Sequence, residues 1–203
     1  MSTFDFIREN WLYITAGLGA TLGITILSFL LATPLAILTA RGRRAALWPV
    51  KALSTFYVWL IDGIPLLLQI PFVFLALPQI GIVLPGFWGG IFVLTLNYGS
   101  RMSKIFYERF ATPGKSPGEA WTSFVQPLTD EFTSMIKDTT LISLSGLIYD
   151  VYWRATRVGR AEFKNLEALT IAAIIYLILI TIISLGAKRL KFVSLRQNDI
   201  AIR

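Results

Sequence analysis

Apolar residues fill this chain in long blocks, and polar residues are pushed into the seams between them. No charged residue occurs from Trp11 to Ala40. A helix needs about 20 apolar residues to cross the hydrocarbon core of a bilayer, so this block (11–40) suffices for one span. The second block, 51–77, is interrupted by Asp62-Gly63-Ile64-Pro65 and again by Pro71. Proline removes a backbone donor and clashes with the preceding turn, so this span is predicted to kink or break near Gly63. The third, 87–107, holds Gly89, Gly90 and Gly99, small residues that let helices approach, and carries Asn97, Arg101 and Lys104 towards its far end. The fourth, 132–149, is short and polar for lipid, with Lys137, Asp138, Thr139, Thr140, Ser143 and Ser145. Such a helix belongs inside a bundle. The fifth, 168–187, is unambiguous. Between the third and fourth lies one long polar interruption, Tyr107 to Phe132. The pattern predicts an all-α integral membrane protein, a single domain over 1–203 with five transmembrane helices. A mid-chain loop such as 107–132 is where a soluble partner would dock.

Composition sharpens this. The chain is 55% hydrophobic and 15% charged, against about 25% charged for a soluble domain. The net charge of +7 could suggest nucleic acid. In a membrane protein, basic residues instead gather in cytoplasmic loops. Arg41, Arg43, Arg44 and Lys51 follow the first span without an intervening acid, and Lys188, Arg189 and Lys191 follow the last. The N-terminus is therefore expected outside and the C-terminus in the cytoplasm. The first span is too long, and its lead too weakly basic, for a cleaved signal peptide. By parity Arg154, Arg157, Arg160 and Lys164 fall outside, against the rule, yet 149–167 has no apolar run to supply a sixth span.

Cysteine and histidine are both absent. That removes disulfides, thiolate metal sites, the cysteine nucleophile and the usual general base, so neither an enzyme nor a metal site is expected. There is no glycine-rich loop ending in Gly-Lys-Ser/Thr to hold ATP phosphates, and ATP could act only through a partner. The ionisable and polar residues within spans remain as candidates. Asp62 is either functional or a charge neutralised by a neighbouring helix. Asn97 and Tyr98 can hydrogen-bond a polar ligand or tie one helix to another. Lys137 and Asp138 are adjacent and point to different sides of their helix, while Thr139 and Thr140 can bond back to helix carbonyls.

Several of these segments together resemble a known family. Tyr57-Val58-Trp59-Leu60-Ile61-Asp62-Gly63-Ile64-Pro65-Leu66-Leu67-Leu68-Gln69 resembles the second-helix signature of polar amino-acid ABC transporter permeases (the histidine, glutamine, glutamate and arginine type), which read Gly-Thr-Pro-Leu-Leu, an apolar residue and Gln. Leu96-Asn97-Tyr98-Gly99-Ser100 is similar to the third-helix motif, and Lys137-Asp138-Thr139-Thr140-Leu141 to the Lys-Asp-Thr-Ser-Leu of the fourth. The resemblance is collinear from about Gly19 to Leu190. It implies a type I ABC importer subunit in a bacterial cytoplasmic membrane, paired with a second copy or a sister permease. Two ATPase subunits and a periplasmic amino-acid-binding protein complete such a transporter. The family's substrate-path positions map onto Asn97, Tyr98, Lys137, Asp138, Thr139 and Thr140, and its helix kink onto Gly63, Pro65 and Gln69.

Two departures stand beside the matches. The family's cytoplasmic loop carries a Glu-Ala-Ala helix that plugs into the ATPase; here Gly118-Glu119-Ala120 runs into Trp121 in a shorter loop with prolines at 113, 117 and 127. The resemblance thus implies a degenerate coupling loop, without a helix longer than about two turns. Asp62 also stands where the family has a basic residue, and Lys104 where it has Glu, which implies an intramembrane ion pair with its signs reversed. Two readings follow: a working subunit of an amino-acid importer, or a permease-derived subunit that has lost ATPase coupling and serves a larger membrane complex.

Overall fold

The structure, a computed structural model, describes residues 2–110 and 117–201, with side chains described over 2–110 and 123–189. It is built of helices, with no strand among the described residues. The first apolar block forms two of them, α1 (Thr3–Thr15) and α2 (Leu18–Gly42). Ser2 caps α1 reciprocally: its Oγ accepts from Asp5 N at 3.1 Å, and Asp5 Oδ2 accepts from Ser2 N at 3.1 Å. The chain breaks at Ala16–Gly17 because another segment packs directly on it. A Cβ on Gly17 would collide with the backbone nitrogen of Val151.

The second block bends sharply, as expected. Helix α3 (Trp48–Gly63) and the stretch Leu66–Ile80 meet at 100°. That stretch opens with α4 (Leu66–Pro71), loosens into a π-helical turn over Phe72–Ala76 and tightens to a 3₁₀ turn over Leu77–Ile80. Such departures from α geometry follow where prolines, here Pro71 and Pro78, take donors out of the ladder.

Helix α5 (Gly86–Phe110) packs along α2. Small residues make this contact close: Thr25, Ser28, Ala32, Ala36 and Ala40 are buried on α2 against Ile91, Leu94, Tyr98 and Met102 of α5. Lipid tails give apolar helices no reason to associate, so close van der Waals packing of this kind carries the interface. A second core joins α1 to α7 (Val151–Ala161) and α8 (Asn165–Ala201), through Phe6, Ile14, Val151, Ala155, Ala168 and Ala172. Helix α7 is an addition to the sequence reading. Its signals are a capping aspartate, Asp150, which accepts from Trp153 N at 2.8 Å, and a Val151, Ala155, Gly159 repeat that is buried. Asp150 is wholly buried and also accepts from Tyr176 OH at 3.1 Å. Burial pushes its carboxyl above the usual carboxylate range, and the hydrogen bonds from Trp153, Ser143 and Tyr176 pull against that.

The largest correction concerns the polar loop. A short fourth span after a helix-poor loop was expected; instead α6 runs unbroken from Pro117 to Ser143. It ends six residues earlier than expected, before Gly146 turns the chain with φ +75°. Pro117 occupies the first helical position, where its missing N–H is no loss. Pro127 lies inside the helix, and an interior proline costs about 3 kcal/mol and leaves the carbonyl four residues back without its donor. That carbonyl belongs to Ser123, and Arg109 of α5 donates to it through Nη2 at 2.9 Å. The proline that argued against a helix is accommodated from the neighbouring helix. Gly118, Glu119 and Ala120 fall in the first turn of α6; their side chains and Pro113 lie outside the described residues.

Among the described residues two helices, Thr3–Gly42 taken together and Asn165–Arg189, are long and apolar enough to cross a membrane, or three if the bent pair is one span.

A charge-assisted hydrogen bond is worth about 1.5–3 kcal/mol, so Arg109→Gln is expected to lower the melting temperature of the detergent-purified protein. In a Pro127→Ala background Ser123 regains its helical donor, and the same change should cost much less. Equal losses in both backgrounds would disprove this role for Arg109.

Candidate functional site

Polar side chains within the bundle converge on α5. Its residues Asn97, Ser100 and Lys104 share one face by helical spacing, and Tyr98 and Arg101 share the next. The first face meets α3 and α4. Lys104 Nζ pairs with Asp62 Oδ2, and Asp62 Oδ1 accepts from Ser100 Oγ at 2.8 Å. Tyr57 OH donates to Leu96 O at 2.6 Å. Gly99 makes room for this, since a Cβ there would lie 2.9 Å from the Tyr57 hydroxyl and 2.8 Å from Leu35.

The kink is held by Gln69. A helix that ends leaves its last four carbonyls without partners, and within a bilayer core no water replaces them. Gln69 Nε2 donates to Ile61 O at 2.9 Å and to Ile64 O at 2.8 Å, across the Gly63–Pro65 break. Its Oε1 accepts from Asn97 Nδ2 at 3.3 Å, which ties the break to α5. Gly63 and Pro65 make the bend, and Gln69 satisfies what the bend exposes.

The second face of α5 meets α6. Tyr98 OH donates to Asp138 Oδ2 at 2.7 Å. Arg101 Nε lies 2.9 Å from Glu131 Oε2, and its Nη1 lies 3.9 Å from Asp138 Oδ2. The same guanidinium stacks over the Tyr98 ring at 4.6 Å. Asp138 thus turns to α5 while its neighbour Lys137 is exposed. Thr139 and Thr140 bond back to Ile136 O at 2.8 Å and Lys137 O at 2.7 Å.

Of the residues that sequence marked as a substrate path, Asn97, Tyr98 and Thr139 are buried and bonded within the chain, and Lys137 is exposed. Sequence reading missed Tyr57, Ser100 and Glu131 as members of these clusters. The spacing of Asn97, Ser100 and Lys104 was the available signal. This arrangement offers no nucleophile or proton-transfer pair aligned on a shared cavity. It offers a helix with two polar faces, each engaged by a different neighbour.

The fold is shared with a chain of an amino acid ABC transporter of known structure. No protein-family model matches the chain. It is 28% identical over 204 residues to the L-cystine transport system permease protein TcyB of Bacillus subtilis, covering 90% of this chain and 87% of that one. It is 27% identical to the arginine transport system permease protein ArtQ of the same species, covering 92% and 94%. A crystal structure of an amino acid ABC transporter with histidines superposes with a TM-score of 0.85 at 20% identity, over 94% of this chain and 98% of that one. Over nearly its whole length the chain is thus similar to amino-acid ABC transporter permeases, the family its helix motifs resemble.

The magnitudes separate the two ties on α3. Lys104 and Asp62 side chains are 51% and 24% exposed, and such a pair is worth on the order of 1 kcal/mol or less. Two carbonyls orphaned in hydrocarbon cost about 1–3 kcal/mol each. Gln69→Leu should therefore lower the melting temperature more than Lys104→Met. A smaller effect of Gln69→Leu would refute the clamp. Coupling between Asp62→Asn and Lys104→Met in a double-mutant cycle tests the ion pair separately.

Proposed function

We propose that this permease subunit works in an amino-acid importer, forming part of the translocation path while partner ATPase subunits supply the energy. The relatives' substrates and the near full-length match support amino acids as the cargo class. Five spans are assigned: α1 with α2, α3 with the stretch to Ile80, α5, α6 and α8. The N-terminus is placed outside, the C-terminus in the cytoplasm, and the whole in a bacterial cytoplasmic membrane. A second copy or sister permease completes the path, and a periplasmic amino-acid-binding protein delivers substrate.

The observation that carries this reading is α6. It is one helix from Pro117 to Ser143, so the segment expected to meet an ATPase and the Lys137–Thr140 motif share one rod. A push at one end is transmitted to the other, past Pro127, where Arg109 stands in for the missing helical donor. Arg109, Arg101 and Tyr98 of α5 hold this rod at Ser123, Glu131 and Asp138. A subunit retired from coupling has no need of such continuity, and this favours the working importer over the accessory subunit. Within the path, exposed Lys137 and its helical neighbour Thr140 face the substrate, while Asn97, Tyr98 and Asp138 support them from behind. Lys137 offers an ammonium to a substrate carboxylate.

Purification from native membranes tests the assignment: an ATPase and a solute-binding protein should accompany the chain. Recovery with other membrane proteins and no ATPase would retire it. In the assembled transporter, Lys137→Gln is expected to raise the substrate concentration needed for half-maximal uptake. An unchanged value would remove Lys137 from the path.

A further inference from the structure

The end of the bundle that carries α7 holds an amphipathic groove that the transport reading leaves unused. Its polar half lies between α7 and the end of α6, a cavity of about 330 Å³ lined by Ser143, Tyr152, Trp153, Thr156, Arg157 and Arg160. Arg157 and Arg160 are exposed, and neither forms an ion pair among the described residues. Arg157 lies over the Trp153 ring at 5.1 Å. Around them stand hydroxyls of Ser143, Tyr152 and Thr156. The Ser143 and Thr156 hydroxyls donate to helix carbonyls, so the donors to an anion are the two guanidinium groups, which suit phosphate through paired, charge-assisted bonds.

The apolar half adjoins it. A cavity of about 480 Å³ runs between α4 with its π-helical turn and the last turns of α6, lined among others by Leu67, Pro71, Phe74, Leu141 and Leu147. Leu144 lines both cavities and is 58% exposed. A helix is about 10–12 Å across, too broad to enter a depression of this size; a single flexible chain is not. Tyr152 and Trp153 line the polar half, and tyrosine and tryptophan mark the headgroup level of a bilayer.

We propose that this groove holds an anionic phospholipid from the leaflet on the α7 side, its phosphate on Arg157 and Arg160 and one acyl chain along Leu144 and Phe74. A soluble acidic protein would match the arginines but leave the apolar half empty. The lipid accounts for both. It also accounts for a basic helix at the end of the bundle opposite Arg41, Arg43 and Arg44: these arginines hold a bound anion and do not set topology. The proposal does not depend on transport activity.

The full chain, purified with whatever subunits accompany it, is exchanged into mixtures of phosphatidylglycerol and phosphatidylcholine, and retained lipid is counted by native mass spectrometry. Phosphatidylglycerol should be preferred. The Arg157→Gln, Arg160→Gln double variant should retain it roughly thirtyfold less, taking about 1 kcal/mol per basic residue at an anionic surface twice. Leu144→Ser should weaken both lipids alike, and Arg157→Lys should restore part of the preference. These exposed substitutions should leave the melting temperature near that of the parent. Equal retention of the two lipids, or an unchanged preference in the double variant, would overturn the proposal. Displacement by millimolar inorganic phosphate would make it a free-anion site. Loss of lipid once a sister subunit or an acidic binding protein occupies this face would make it a protein interface. Either of these also overturns it.

Discussion

A backbone carbonyl freed inside a bilayer has no water to turn to, and the bend in the second span frees several. The Gly63–Pro65 break turns the chain through 100°, and the cost falls on the carbonyls at the end of α3. Gln69 meets that cost from the far side of the break, with one amide nitrogen shared between Ile61 and Ile64. Its remaining acceptor takes Asn97. The kink is therefore anchored to α5. That one amide explains why the motif couples a glycine and proline to a glutamine a turn further on: the first two make the bend and the third lets it exist in lipid.

From that anchor the rest of the bundle follows. Helix α5 is held close to α2 by small residues and a hydroxyl or two, which leaves its other faces free for polar contacts. One face engages α3 and α4, the next engages α6. The ion pairs on both faces are partly exposed, each worth little beyond about 1 kcal/mol, whereas the clamp at the kink is worth several times more. A path that must open and close is better served by this combination than by uniformly strong ties. The bend persists as a fixed element while the pairs between α5 and α6 can be remade.

Much of this was legible in the residues. Long apolar blocks located the apolar stretches within Thr3–Gly42 and Asn165–Arg189, and Asp62-Gly63-Ile64-Pro65 located the bend, because hydrophobic length and proline chemistry are local properties. The partnership of Lys104 with Asp62 was reached from family positions, and the structure pairs the two. The loop was misread for a physical reason. Pro127 forbids a helix only if the Ser123 carbonyl is left alone, and the donor that answers it, Arg109, sits 14 residues away on another helix. Nothing local to the proline announces that partner. Helix α7 was missed for the opposite reason: its capping aspartate and its Val151, Ala155, Gly159 repeat were local, but basic residues drew attention to topology instead. The buried small-residue stripe of α2 was hidden because alanines and threonines in an apolar block look alike whether they face lipid or a neighbour.

The central claim is that α6 joins an ATPase-facing segment to a working translocation path. Proteoliposomes holding the purified assembly test it most directly, by radiolabelled amino-acid uptake with ATP and the binding protein present. Accumulation that depends on both is the predicted result. Steady ATP hydrolysis with no accumulation of any amino acid the binding protein retains would contradict it.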